Sequence, residues 1–580
     1  MFSRLATFLQ LAIVIGNVTA SSASTVTPVS GTCPIFSTVP TPVSSVTSLA
    51  PLVTATLDKA QVIGVDDGSV TSFRGIPFAE PPVGNLRLRL PVPIQGYNGT
   101  IDATQPATQC IQLFPPIRED MPPEMLKDMI AYAGGILGGA AAQGEDCLTV
   151  NVQVPAGTKR GDKLPVIAFI FGGGFVLGSN ELMSGDAVVA RSVQMGQPVI
   201  YAAMNYRLHA FGFLGGKEIK EEGVGNLGLH DQREALRWIQ NNIAAFGGDP
   251  EKVTIWGPSS GAISSALQMV TNGGNDEGLF RGAIMSAGSP IPTGDIAELQ
   301  PFYDQIVDVV GCSGTNDTLG CLRQVPAANL TVAAGTIPNL FSYSGLATPW
   351  APRADGKFLT APPQHLVLAG QVAKIPFIAG DALDEGTIFA TGSFNVTTEQ
   401  EFRDYVHEFY YPRAPQALLA PLFSLYPADP AAGSPFMTGD ANQLAPMYKR
   451  MAAFQGDVIF QAPRRFFLDQ RSSEQPTWSF IGQTGASPGL GFAHGSDFVP
   501  ALTGGALADY IIQFAATQDP NGKDTPNGTA SERTIYWPQY ETNERRVLEM
   551  FDDGGLEIGN DTLRLEPMAN LTALSLAFPL

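Results

Sequence analysis

The chain has 580 residues, 44% of them hydrophobic and 15% charged, which is the balance of a globular protein with a large core. Its formal charge of −20 and the lack of any long basic run argue against nucleic acid and anionic membrane surfaces as partners, since both attract Lys/Arg patches. Length alone would allow roughly three or four domains, so the motifs must decide.

In chain order, residues 1–20 read as a secretory signal peptide. Arg4 supplies a positive start, Leu5 to Val18 is mostly apolar, and Val18-Thr19-Ala20 fits a small-residue cleavage site. Residues 21–50 hold little besides Ser, Thr, Val and Pro. Such a stretch buries too little apolar surface to offset its ordering entropy, which predicts a flexible arm open to O-glycosylation. The folded body is expected over 51–580, as one domain without internal repeats. No later stretch is long and apolar enough to span a membrane, so a soluble, secreted protein is expected. Seven Asn-x-Ser/Thr sequons, at Asn98, Asn316, Asn329, Asn395, Asn527, Asn560 and Asn570, fit glycosylation along an export route.

The five cysteines are an odd number, and in an oxidising compartment most should pair. Cys312 and Cys321 lie close together in a Gly/Ser/Asn/Asp-rich loop and are expected to close a small ring. Cys110 and Cys147 bracket a longer segment, and Cys33 is left over in the Ser/Thr/Pro/Val-rich stretch. Cys/His ligands at metal-binding spacing are lacking, so neither a metal nor another cofactor is expected.

Several apolar runs bounded by turn signals read as buried parallel strands: Leu164 to Phe171, Pro198 to Met204, Val253 to Trp256, Gly282 to Met285 and Ile375 to Ala379. Between two of them, Leu236, Ile239 and Ile243 recur at helical spacing within Asp231 to Phe246, and Gly247-Gly248 stops that helix. Strand and helix alternate, which is the signature of an α/β fold with a mostly parallel sheet.

The most informative stretch is Val253-Thr254-Ile255-Trp256-Gly257-Pro258-Ser259-Ser260-Gly261-Ala262. It sets Gly-x-Ser-x-Gly directly after a predicted strand and before an apolar helical run, Ala262 to Val270. A sharp turn there would present Ser259 at the strand's end and at a helix N-terminus, where backbone N–H groups favour developing negative charge. The neighbouring Ser260 would offer its backbone N–H. Upstream, Gly172-Gly173-Gly174 follows the strand ending at Phe171, and a glycine turn can aim bare N–H groups at a substrate oxygen. The Gly-Lys-Ser/Thr of a phosphate loop is absent.

With their neighbours, these residues resemble the type-B carboxylesterase/lipase family of cholinesterase-like α/β-hydrolases, closest in pattern to the Candida-type fungal lipases. The similarity runs over nearly the whole folded chain. It includes Phe73-Arg74-Gly75-Ile76-Pro77-Phe78-Ala79, Glu145-Asp146-Cys147-Leu148, Asn205-Tyr206-Arg207-Leu208, Gly225 to Arg233 and Phe246-Gly247-Gly248-Asp249-Pro250. The resemblance implies a single α/β-hydrolase domain and a Ser-Glu-His triad in that chain order. The acid falls in Asp384-Glu385-Gly386, which points to Glu385, with Asp381 and Asp384 as rivals that chemistry alone does not separate. Chain order excludes His209, His230 and His365. His407 lies on a helix-like stretch and reads as a solvated face residue, whereas His494 lies in a glycine-rich loop, where the family carries its histidine.

The resemblance also implies an oxyanion hole from the N–H groups of Gly173, Gly174 and Ser260, structural ion pairs Arg74–Glu145 and Arg207–Asp231, and a disulfide Cys110–Cys147 closing a lid loop. Two positions depart from the family pattern: Pro258 stands where Glu is usual, and Phe171 where lipases often carry His and cholinesterases Tyr. The Cys110–Cys147 loop has no Trp to hold a choline cation. Instead Leu126, Met129, Ile130, Ala133 and Leu137 fall on one helical face, opposite Glu124, Lys127 and Asp128, which fits either an ordinary surface helix packed on the core or a lid that closes over a lipid-binding cleft.

The expected function is therefore a secreted serine hydrolase of apolar acyl esters, with a small-molecule or lipid ester as substrate and a lipid–water interface reached through the lid. The alternatives are a carboxylesterase for short or aromatic, feruloyl-type acyl groups, and a non-catalytic adhesion protein of the neuroligin-like branch. That branch typically lacks the serine, which is present here. Phe389, Phe466 and Phe467 are candidate walls of an acyl pocket.

Overall fold

The computed structural model of the protein describes residues 50–114, 142–522 and 531–580. The expected signal peptide, nearly all of the expected arm, Cys33, the expected amphipathic face from Leu126 to Leu137 and Asn527 lie outside the described residues.

The described chain forms β1 (Leu52–Leu57), β2 (Lys59–Asp66), β3 (Val70–Pro77), β4 (Asn98–Asp102), β5 (Gln109–Cys110), β6 (Gln143–Gly144), β7 (Thr149–Pro155), β8 (Leu164–Ile170), β9 (Ile200–Met204), β10 (Gly248–Pro258), β11 (Gly282–Ser286), β12 (Phe377–Ala382), β13 (Thr477–Gln483), β14 (Arg546–Phe551) and β15 (Leu556–Asn560). All but β5 and β6, which pair with each other, join one 13-stranded sheet in the order β1-β2-β3-β7-β9-β8-β10-β11-β12-β13-β14-β15, with β4 beside β2. From β9 to β14 every neighbouring pair is parallel, and the flanking pairs are antiparallel except that β4 lies parallel to β2. All five strands expected from the apolar runs are present. In β9, β11 and β12 consecutive residues are buried, so both faces are covered. That is why these strands read as unbroken apolar runs rather than alternating ones.

The helix Leu227–Asn242 packs against β8, β9 and β10, and the helix Ser260–Val270 against β8, β10 and β11. The first begins four residues before the expected Asp231 and continues as a 3-10 turn, Ile243–Phe246, that Gly247 ends at φ 87°. Asp231 lies inside that helix and holds Arg207 in a bidentate pair at 2.7 and 2.8 Å, as expected.

The other expected ion pair is corrected. Glu145 pairs with Arg87, at 2.6 and 2.7 Å, and not with Arg74. Arg74 sits half-buried at an irregularity of β3. Arg87 follows the 3-10 turn Gly84–Leu86 into the interior, where it also donates to the carbonyls of Leu322 and Val325. The Arg87 guanidinium thus serves both the carboxylate and the two carbonyls.

Disulfides join Cys110 to Cys147 and Cys312 to Cys321. Among the described sequons, Asn98, Asn316, Asn329, Asn395 and Asn560 are exposed, while Asn570 is half-buried on the helix Leu565–Ala577.

Candidate active site

Parallel strands share one carboxyl edge, and the loops leaving that edge carry every residue singled out as catalytic. Ser259 follows β10 directly and precedes the helix Ser260–Val270, with φ 54° and ψ −126°. This conformation is costly for a residue with a side chain, and the neighbours hold it in place. The Ser259 N–H donates to Ser286 O on β11 at 2.8 Å, and its carbonyl accepts from Ile263 N at 2.9 Å. Gly257 and Gly261 are dictated by space. A Cβ on Gly257 would lie 2.5 Å from Ile170 O, and one on Gly261 would strike the same carbonyl.

His494 sits in the loop after β13, and its Nε2 is 2.8 Å from Ser259 Oγ. Its Nδ1 is hydrogen-bonded to Glu385 Oε2, and Glu385 Oε1 accepts from Ala382 N at 2.7 Å. Both side chains are buried. Burial lifts the Glu385 carboxyl above its ordinary range and holds the His494 ring below the usual histidine range. The ring is then neutral near pH 7 and able to accept a proton.

The two rival acids have other duties. Asp381 pairs with Arg464 at 2.9 Å. Asp384 accepts from Ser434 Oγ, Phe436 N and Phe492 N at 2.7, 2.8 and 3.0 Å, which fastens the histidine loop to the end of β12. The other histidines are placed elsewhere. His407 is half-buried in the π-helix Val406–Tyr410, while His209 is buried and His230 half-buried, each held at about 4 chiefly by desolvation.

Gly172, Gly173 and Gly174 follow β8 beside the serine. A Cβ on Gly172 would stand 3.0 Å from Ser259 Cβ, so this chain passes as close to the elbow as backbone can. Gly173 and Gly174 have φ of 131° and 62°, which only glycine adopts cheaply. Among the described residues, the amides of Gly173, Gly174 and Ser260 donate to no partner. Unpaired N–H groups near a serine are the kind of donor that can receive an anion. Phe171 keeps its ring in the interior, stacked on Tyr206 at 4.2 Å.

A pocket runs from Ser259 between Ile263, Ile291, Leu340, Leu346 and Phe389 to Arg353 and Leu580. Phe389 is thus a wall, with its ring centre 5.1 Å from that of His494. Phe466 and Phe467 do not line it; Phe467 stacks on Phe377 of β12 at 4.7 Å, within the core.

One residue escaped the sequence reading. Asp497, three positions after His494, is buried, and among the described residues neither of its carboxyl oxygens finds a partner beyond its own backbone. Burial raises it to about 7, with Glu385 and Asp381 adding to the rise and His494 opposing it. An acid at this spacing from a loop histidine was the available signal. Among the described residues no cluster of His, Cys, Asp or Glu could hold a metal ion, and no helix is long and apolar enough to cross a membrane.

The sheet order, with serine, acid and histidine leaving its carboxyl edge, defines an α/β-hydrolase fold. Residues 51–499 match the Carboxylesterase family, and the chain belongs to that family. It is 42% identical to Secreted lipase 1 of Botryotinia fuckeliana, over 87% of this chain and 90% of the relative. It is 41% identical to Secreted triacylglycerol lipase LIP1 of Gibberella zeae, over 85% of each chain, and 38% identical to Lipase 4 of Diutina rugosa, over 90% of this chain and 96% of the relative. Among solved structures, Aspergillus niger EstA superimposes with a TM-score of 0.74 at 25% identity, covering 91% of this chain and 99% of its own.

Proposed function

We propose that this carboxylesterase-family member is a secreted hydrolase of apolar, lipase-type acyl esters, working through an acyl-enzyme on Ser259. The observation that carries the reading is the unbroken relay from Ser259 Oγ through both ring nitrogens of His494 to Glu385. As Oγ bonds to the ester carbonyl carbon, His494 Nε2 takes its proton, and Glu385 stabilises the imidazolium through Nδ1–H. The carbonyl π electrons move to oxygen, and the Gly173, Gly174 and Ser260 amides receive that charge; one such donor is worth about 3–4 kcal/mol of barrier. The tetrahedral adduct collapses, the C–O bond to the alcohol breaks, and His494 returns the proton to the departing oxygen. Water, deprotonated by the same ring, then cleaves the acyl-enzyme and frees the acid and Ser259.

The pocket's aliphatic and aromatic walls support an apolar acyl group, and the names of the fungal relatives, lipases and triacylglycerol lipases, support the substrate class. Export rests on the names of two relatives, on the leader-like residues 1–20 and on the exposed sequons. Glycosylation at those sequons and a lid role for the segment between Cys110 and Cys147 belong to the same reading. The test is hydrolysis of nitrophenyl esters of graded chain length by the wild type and Ser259→Ala. Activity that survives in the variant would remove the serine from the mechanism, and a flat or short-chain-only profile would remove the lipid preference.

A further inference from the structure

The glycine loop after β8 is neither helix nor strand, yet its amides must hold fixed positions if they are to receive an oxyanion. Inside the loop only Val176 N and Leu177 N bond back, to Gly173 O at 3.2 and 3.1 Å. The rest of its shape is imposed from outside, and most of it by the three residues after Cys110. The side-chain amide of Gln112 uses both ends on one residue of the loop: Oε1 accepts from Gly178 N at 2.6 Å, and Nε2 donates to Gly178 O at 3.0 Å. The same Nε2 donates to Cys110 O at 2.7 Å, tying the amide to its own disulfide-bonded base. Leu113 N donates to Val176 O at 2.8 Å. His209 N donates to Phe175 O at 2.8 Å, and the His209 ring bonds Ile111 O at 2.9 Å.

Gly178 matters because of what it touches. A Cβ there would strike Gly172 O, and Gly172 in turn packs against Pro258 and Ser259. Fixing Gly178 therefore fixes Gly172, and with it the direction of the Gly173 and Gly174 amides relative to the serine. Gln112 is buried, so water cannot replace its bonds and their loss leaves the Gly178 amide and carbonyl unpaired.

We propose that Gln112 is a positioning residue for ester hydrolysis: through its double hydrogen bond to Gly178 it holds the Gly172–Gly174 turn in the geometry that receives the oxyanion. The inference rests on the reading of that turn as the oxyanion site, and the test separates the two. Gln112→Met keeps length and apolar bulk but removes donor and acceptor. Gln112→Glu keeps an acceptor for Gly178 N and gives up the amide donor.

Steady-state rates are measured on a nitrophenyl ester and on its thiono counterpart, whose sulfur accepts N–H bonds poorly. The wild type should strongly favour the oxygen ester. Equal rates on the two would show that the loop holds no oxyanion, which defeats the underlying reading and the inference with it. Given discrimination by the wild type, Gln112→Met should lower kcat on the oxygen ester roughly 10- to 100-fold, below the cost of removing one donor outright. KM should stay within about twofold, and the oxygen-over-sulfur preference should shrink in step with kcat. Gln112→Glu should fall between the two, and it decides the matter if the Met variant does not fold. A folded variant with wild-type kcat and undiminished preference would overturn the inference while leaving the oxyanion site intact. So would a loss confined to KM.

Discussion

Replacing Glu385 by Gln probes the relay without changing its shape. The carboxylate accepts two bonds, from His494 Nδ1–H and from Ala382 N–H. An amide can accept only one of them. If its oxygen stays on Ala382 N, its NH2 faces the ring and favours the tautomer protonated on Nε2, the nitrogen 2.8 Å from Ser259 Oγ. That tautomer cannot take the serine's proton. If the amide turns over, its NH2 meets the Ala382 N–H donor, leaving buried donors unpaired at about 1–3 kcal/mol each. The wrong tautomer therefore dominates. The corresponding change in a serine protease triad costs about 10⁴-fold in kcat, or about 5.4 kcal/mol of barrier. The assay is kcat on a nitrophenyl ester, with the unfolding midpoint as a check on integrity. A folded Glu385→Gln enzyme within about tenfold of wild type would refute the relay, and would turn attention to the other buried acid near the ring, Asp497.

Three further outcomes are expected. Asp497 is protonated in the folded state up to about 7 and ionises near the ordinary carboxyl value when unfolded, so the native state binds the extra proton between these points and its stability falls as pH rises through that window. Asp497→Asn should thus melt higher than the wild type at pH 8 and close to it at pH 4, although Glu385, His494 and Asp381, which face the same carboxyl, lose its charge as a neighbour; equal shifts at both pH values would show that Asp497 does not titrate in this way. Arg87→Met should destabilise by about 3–5 kcal/mol in urea unfolding because it strands a largely buried Glu145, whereas Arg74→Met should stay within about 1 kcal/mol, and the reverse order would reinstate Arg74 as the partner. Met129→Asp with Ile130→Asp should lower hydrolysis of emulsified long-chain esters and spare a soluble short-chain ester; equal loss on both would indicate a packing role for this segment.

The features that local sequence controls were legible. The elbow, the glycine triplet and the five buried strands are each set by a few adjacent residues, and the parallel strands, covered on both faces, announce themselves as apolar runs. The half-exposed antiparallel flank β1 to β3 gives a weaker signal. The acid was harder. Asp381, Asp384 and Glu385 lie within five residues, and what separates them is direction: one turns to Arg464, one to Ser434 and the histidine loop, one to His494. Arg74 and Arg87 differ in the same way, since their fates depend on a turn at Gly84–Leu86 and on carbonyls more than 200 residues away. The helix Leu227–Asn242 starts early because Asn226, at φ 51°, turns the chain into it from an interior position that apolar periodicity does not reveal. The role of Gln112 depends on a loop 66 residues distant and had no local signal.

The central claim is that Ser259 is the nucleophile and that the geometry around it activates that oxygen alone. Its most direct test is to react the folded protein with a long-chain alkyl phosphonate ester and map the adduct by peptide mass spectrometry. One phosphonate per chain on the peptide bearing Ser259, formed in step with loss of esterase activity and absent from Ser259→Ala, is the predicted result. Stoichiometric inactivation with the phosphonate on any other residue, Ser260 included, would contradict it.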